Sequence, residues 1–270
     1  MSTRLSIRLP LTRFALRPVS LAISLIVSAS STYGLPQGAQ ATFGQTRVTL
    51  AAPGQLDIQQ STPRAGIDWT RFSIGLGERV VISQPSSSAV LLNRVLGNDP
   101  SQIFGSLQSN GTVWLINPRG IVFGADSRVD VGGLLASTLS ITHDDLSSGR
   151  LLLSRLGTNP GELRSEGQIT ARAGSVVLLA PQLTQTGRID ARRIGLAAAT
   201  EVQLDVEGDG LIFFSARNDG SLSSRLSMLG RLVADGGSVE VRAAARAGFA
   251  DTVLNLDGVV QARTIGQRGG

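Results

Sequence analysis

Closely spaced acidic residues are the first candidates for chemistry in this chain. Asp205, Glu207 and Asp209 alternate with Val206 and Gly208, and in an extended segment that alternation sets all three carboxylates on one face. Asp144 and Asp145 form a second acidic pair, next to His143, the sole histidine. Carboxylates held a few ångströms apart, or calcium with a basic residue placed to take a proton, would suit cleavage of a polysaccharide. The plainer reading is a solvated strand face running into a Gly-Asp-Gly turn, and it is preferred. His143 has no serine nucleophile motif around it and is expected at the surface. Cysteine is absent, which excludes disulfide scaffolds, thiol nucleophiles and cysteine-ligated zinc. With neither a glycine-rich phosphate loop nor a metal-spaced His cluster, no cofactor, metal or catalytic activity is expected.

A denser signal lies elsewhere, in Gly111-Thr-Val-Trp-Leu-Ile-Asn-Pro-Arg-Gly-Ile-Val-Phe-Gly124. Two extended segments, Thr112–Ile116 and Ile121–Phe123, flank Asn117-Pro-Arg-Gly. Pro118 fixes φ, Gly120 tolerates positive φ, and the Asn117 side chain can bond its own backbone. The pattern predicts strand, tight turn, strand. Asn93 and Asn110 also read as turn residues, Trp114 as core, and Trp69, between Asp68 and the polar Thr70-Arg71, as partly exposed. Gly124, Gly132 and Gly133 are expected at corners where a side chain would clash.

The elements that position these residues read as short strands. Val48–Leu50, Leu56–Ile58, Phe72–Ile74, Val80–Ile82 and Val129–Val131 alternate apolar and polar residues between Gly, Pro, Asn, Asp or Ser. Helical periodicity is poor. Aromatic residues make up 4% of the chain against 32 glycines, so a narrow core of Val, Ile, Leu and Ala is expected. The octads starting at Gly167, Gly187, Gly230 and Gly258 share one degenerate pattern, the first two offset by 20 residues. A period of this size, with several short strands per repeat, is that of a β-solenoid; a β-sandwich with long loops is the alternative. Roughly ten turns at about 4.8 Å each would give a rod of about 50 Å.

The first residues set the compartment. Arg4, Arg8, Arg13 and Arg17 precede the apolar run Val19–Ala29, which is followed by small residues. This is the layout of a cleavable signal peptide, residues 1–34, with cleavage between Ser28 and Leu35. The run is well short of the roughly 20 residues of a spanning helix, and no later run reaches that length, so the mature chain is not expected to span a membrane. Of the formal charge of +5, these four arginines supply all but one. No basic run remains to hold a phosphate backbone, so nucleic-acid binding is not expected.

The ordered motifs Leu35-Pro-Gln-Gly, Asn93–Gly105, Gly111–Gly124 and Val131–Thr138 resemble the N-terminal secretion domain of two-partner secretion exoproteins, the group of filamentous haemagglutinin-like adhesins and haemolysins. The resemblance implies an all-β fold over residues 35–270: a right-handed parallel β-helix with N-terminal capping strands and short extra-helical β elements. It implies a non-enzymatic export domain, recognised in the periplasm by the soluble domains of a dedicated outer-membrane β-barrel transporter and folding at the cell surface of a Gram-negative-type bacterium. The family's Asn-Pro-Asn-Gly-Ile motif maps onto Asn117, Pro118, Arg119, Gly120 and Ile121, with Arg119 in place of the middle Asn. Asn93, Asn117, Pro118, Gly120 and Ile121 are the candidate recognition residues; for Asn117, turn stabilisation is the first reading and transporter contact the second. The family's separate Asn-Pro-Asn-Leu motif, present in only part of the group, has no clear counterpart here; Asn98-Asp99-Pro100-Ser101 occupies the corresponding neighbourhood in the other subgroup's form.

Two other functions stay open on the sequence. The flat flanks of a solenoid suit an adhesive module binding host surfaces or glycans, with Leu146–Glu166 as the place to look. A β-helical polysaccharide lyase is the third reading. The last stretch, Gly258–Gly270, begins another repeat without an obvious cap, so the chain is expected to be truncated before a larger passenger.

Overall fold

The computed structural model describes residues 34–142, 151–157, 161–206, 212–220, 223–244 and 254–263. These contain strands β1 to β25, numbered in chain order, and no helix. The chain winds through three parallel faces in a fixed order. Face one stacks β4 (Arg64–Trp69), β6 (Val90–Val95), β9 (Thr112–Ile116), β12 (Gly133–Ser137), the second halves of β16 (Gln168–Ala180) and β18 (Arg188–Ala198), and β23 (Ser238–Ala243). Face two stacks β3 (Gln55–Gln60), β5 (Arg79–Ser83), β8 (Ser106–Ser109), β11 (Arg128–Asp130), the first halves of β16 and β18, β22 (Arg231–Val233) and β25 (Val259–Gln261). Face three stacks β7 (Ser101–Ile103), β10 (Ile121–Phe123), β15 (Leu163–Ser165), β17 (Gln182–Gln185), β21 (Arg225–Met228) and β24 (Leu254–Leu256). The expected right-handed parallel β-helix is the fold observed.

Alternation along each strand builds the core, because every second residue points inward. On face two, Leu56, Val80, Leu107, Val129, Ile169, Ile189 and Leu232 stand in register on successive rungs, and all are buried. Burying each such side chain contributes about 1.5–3 kcal/mol, and a one-residue slip would turn the whole column to solvent. Glycine sets how closely the corners stack. A Cβ on Gly187 would collide with the carbonyl oxygen of Gly167, one on Gly230 with that of Gly187, and one on Gly258 with that of Gly230. The four aligned glycines of the sequence repeat are thus one column at the corner between faces three and two. Gly124, Gly132 and Gly133 also lie where a Cβ would press on a neighbouring rung, as expected.

At the N-terminal end, β1 (Gln40–Phe43) and β2 (Thr46–Ala52) run antiparallel to β4 and β3 and cap the parallel stack. At the other end Leu254, Leu256, Val259 and Val260 are exposed. Face two carries eight rungs among the described residues, a stack of about 35 Å. That is shorter than the repeat suggests, because two coils carry extra strands. β13 (Ser140–Ile141), β14 (Leu151–Ser154), β19 (Glu201–Val206) and β20 (Ile212–Arg217) form a four-stranded antiparallel sheet outside the helix. It buries a second apolar cluster against the outer side of face one, including Leu92, Ile116, Leu135, Leu153, Val177 and Val202. The described residues of the stretch 146–166, named above as the place to look for an adhesive surface, supply β14 of this outer sheet and β15 of face three.

Candidate functional site

The signature turn is built by face geometry. β9 ends on face one and β10 starts on face three, so 117–120 is a corner of the coil. Its strands do not pair with each other: β9 pairs with β6 and β12, and β10 with β7 and β15. The strand boundaries coincide with those expected from the sequence.

Asn117 closes the corner with all its polar atoms. Its Oδ1 accepts the Arg119 N–H at 2.9 Å, while Nδ2 donates to the Asp99 carbonyl and to Ser101 Oγ, both at 3.0 Å. Its backbone N–H donates to the Ser137 carbonyl at 3.0 Å, and its carbonyl accepts the Gly120 N–H at 3.1 Å. One residue thereby ties its own rung to the rungs on either side. Asn117 is 0% exposed, as is Ile121. Gly120 is buried with φ +127°, a backbone conformation that a Cβ would strain. Pro118 is half-buried. Arg119 alone of the five projects into solvent, where its guanidinium donates to Asn98 Oδ1 at 3.1 Å.

Asn93 is not a turn residue. It lies inside β6 and points inward, in a column with Ile67, Leu115 and Ala136. An unpaired amide there would cost a few kcal/mol. Its Oδ1 accepts the indole N–H of Trp69 at 3.0 Å, and Nδ2 faces the carbonyls of Trp114 at 3.3 Å and Leu91 at 3.4 Å. Trp69, expected to be partly exposed, is buried and meets the ring of Phe72 edge-on at 5.4 Å. The charged residues beside Trp69 and Asn93 explain the misreading. Asp68 and Arg94 point outward from β4 and β6 and form a two-pronged ion pair at 2.8 and 2.9 Å, while their neighbours Trp69 and Asn93 face the core. Trp114 departs from expectation in the opposite sense: it lies outside the helix, half-buried against the second cluster.

A further set of polar residues passed unnoticed in the sequence. At the corner between faces two and one, Gln84 Nε2 donates to Gln60 Oε1 at 2.9 Å, and Ser109 Oγ donates to Gln84 Oε1 at 2.6 Å. Asn110, the expected turn residue, bonds both the N–H and the carbonyl of Gln84, at 2.7 and 2.8 Å. A polar residue recurring at the end of the first three face-two strands, Gln60, Gln84 and Ser109-Asn110, was the available signal. Of the acidic candidates, Asp205 lies in β19 opposite Phe213, whereas Glu207, Asp209, His143, Asp144 and Asp145 lie outside the described residues. No group of three or more His, Cys, Asp or Glu suited to a metal ion occurs among the described residues.

The model of the family described as "TPS secretion domain" matches residues 34–270. A heme/hemopexin-binding protein of Haemophilus influenzae is 33% identical over 188 residues, 64% of this chain and 20% of that protein. A second protein of that name and organism is 34% identical over 145 residues, 53% of this chain and 16% of its own. The chain thus spans a fifth or less of the length of these curated relatives. The crystal structure of the HMW1 secretion domain from Haemophilus influenzae superposes with TM-score 0.70 at 29% identity, covering 77% of this chain and 56% of that one. The filamentous hemagglutinin secretion domain superposes with TM-score 0.51 at 14% identity, covering 84% and 100%, a likeness of fold alone. With its family model spanning all of the coiled body, the chain belongs to the TPS secretion domain family, the two-partner secretion domains of large exoproteins.

Proposed function

We propose that residues 35–270 are the export address of a larger exoprotein, read by the periplasmic soluble domains of an outer-membrane β-barrel transporter before the coil has formed. Residues 1–34 serve as the leader for inner-membrane passage and are removed. The chain then crosses the outer membrane unfolded, and rung-by-rung closure at the surface biases it outward. The observation that carries this reading is the complete burial of Asn93 and Asn117 with their amide atoms bonded. Side chains so enclosed offer a partner nothing once folded; they act by closing the coil, and a partner can meet them only beforehand. The absence of cysteine suits that route, since no bridge could lock the chain in an oxidising compartment. The alternatives of an adhesive flank and a carboxylate-based lyase carry no comparable support.

An engineered lock tests the order of events. Val122 and Arg164 are paired residues on adjacent strands of face three, close enough for a disulfide once both are replaced by cysteine. Co-expressed with its transporter, the Val122→Cys/Arg164→Cys chain should reach the medium under reducing conditions and stay in the periplasm when oxidised there. Equal export of the oxidised, folded chain would overturn the unfolded route.

A further inference from the structure

We infer that the outer side of face two, over the rungs of β16, β18, β22 and β25, is a binding strip for an acidic polysaccharide. Such binding is a second property of the folded coil, beyond export, and needs only the finished rungs, whose outer side is what the surroundings meet. Arg79, Arg128, Arg188 and Arg231 stand in one outward column with only Ser106 and Gln168 between them. On the earlier rungs Asp57 and Asp130, in the next outward column, offset Arg79 and Arg128. Beyond Gln168 the balance changes. On these strands and at their corner toward face one, Arg172, Arg188, Arg192, Arg231 and Arg263 stand against Asp190 and Asp235 among the described residues. Asp190 takes Arg188 at 3.3 Å and Arg172 at 4.0 Å, whereas Arg192, Arg231 and Arg263 pair with no carboxylate among the described residues. Arg188 and Arg231 are in register on adjacent strands, and like charges so placed repel. An anion lying across both removes that repulsion.

The layout favours a linear polymer of carboxylates. The cations recur on successive rungs, about 4.8 Å apart, and a chain of uronic acids carries one carboxylate per sugar at a similar spacing. The planar fork of Arg matches a carboxylate through two parallel bonds, while Gln168 and Thr170 beside it offer neutral partners to sugar hydroxyls. Single-stranded nucleic acid stacks its bases on aromatic side chains, and the strands of face two carry none. A lipid surface takes up exposed apolar side chains, yet the outward residues of 168–171, 188–191 and 231–233 are polar or charged except Val233, which is buried.

The test measures binding of the folded chain to immobilised polygalacturonate at about 50 mM salt, where screening is weak. The parent should be retained. Arg188→Gln/Arg231→Gln and, independently, Arg172→Gln/Arg192→Gln should each bind about tenfold more weakly while melting within about 2 °C of the parent, as surface substitutions do. Arg47→Gln/Arg64→Gln removes the same charge from two exposed arginines of β2 and β4 and should bind as the parent does. Passage of the parent unretained, parent-like affinity in both strip variants, or an equal loss in the Arg47→Gln/Arg64→Gln control would overturn the inference. So would binding of the parent to single-stranded DNA or to anionic lipid vesicles as tightly as to the polyuronate. Each of these results leaves the export reading standing, since that depends on the transporter and not on the outer side of face two.

Discussion

Replacing Asn117 by alanine separates a coil-closing residue from a contact residue. The substitution removes three side-chain hydrogen bonds, to Asp99, Ser101 and Arg119. At about 1 kcal/mol of net stability for each bond, with partners left buried, the expected loss is about 3 kcal/mol. For a domain of this size about 2–4 °C of melting temperature accompany each kcal/mol, so the midpoint should fall by about 6–12 °C. Urea unfolding followed by tryptophan fluorescence suits the measurement, because Trp69 and Trp114 both lie in the N-terminal rungs, next to the altered corner. Asn117→Asp should be no better than alanine: it places an acceptor where Nδ2 now donates to the Asp99 carbonyl. A variant that melts within 1 °C of the parent and unfolds at the same urea concentration would refute the assignment of Asn117 to coil closure.

Other substitutions probe the same physics. Asn93→Ala and Trp69→Phe should each cost about 1–3 kcal/mol by orphaning the partner's buried polar atom, and the double variant should fall short of additivity by about 1 kcal/mol or more; strict additivity in a denaturation cycle would show that the pair is not coupled. Gly187→Ala should destabilise by more than about 2 kcal/mol, because the new methyl meets the Gly167 carbonyl oxygen of the rung beside it. Gly77→Ala should cost only about 1 kcal/mol, for its φ of +77° in otherwise open space. Similar melting temperatures for these two glycine variants would contradict the stacking argument.

Local alternation and the glycine repeat made much of the coil legible. The octads at Gly167, Gly187, Gly230 and Gly258 align as the structure pairs them, with Ile169, Ile189, Leu232 and Val260 in one column. The strands on either side of Asn117-Pro-Arg-Gly were legible because proline and glycine mark both ends of a corner. Less legible was the inward direction of Trp69 and Asn93. The Ala65, Ile67, Trp69 alternation carried it, but Asp68 and Arg94 gave the segments a polar character that belongs only to their outer face. Phe72–Ile74 reads as a strand yet makes only the bridge from Ile74 to Ile103, since it begins face three. The outer sheet was hidden for a different reason: Leu151 pairs with Leu204 and Glu201 with Arg217, and nothing in a short window records partners so far apart. Nor does alternation say whether an outward column such as Leu92, Trp114 and Leu135 meets water or a second sheet.

The most direct measurement places an inert reporter after residue 270 and asks where it goes. With the chain's own first 34 residues in front and the cognate outer-membrane transporter co-expressed, the reporter should appear in the medium or at the cell surface. Without the transporter it should remain in the periplasm, and Asn93→Ala or Asn117→Ala should lower its release in step with their loss of stability. Release that is the same with and without the transporter would contradict the assignment of this chain as an export domain.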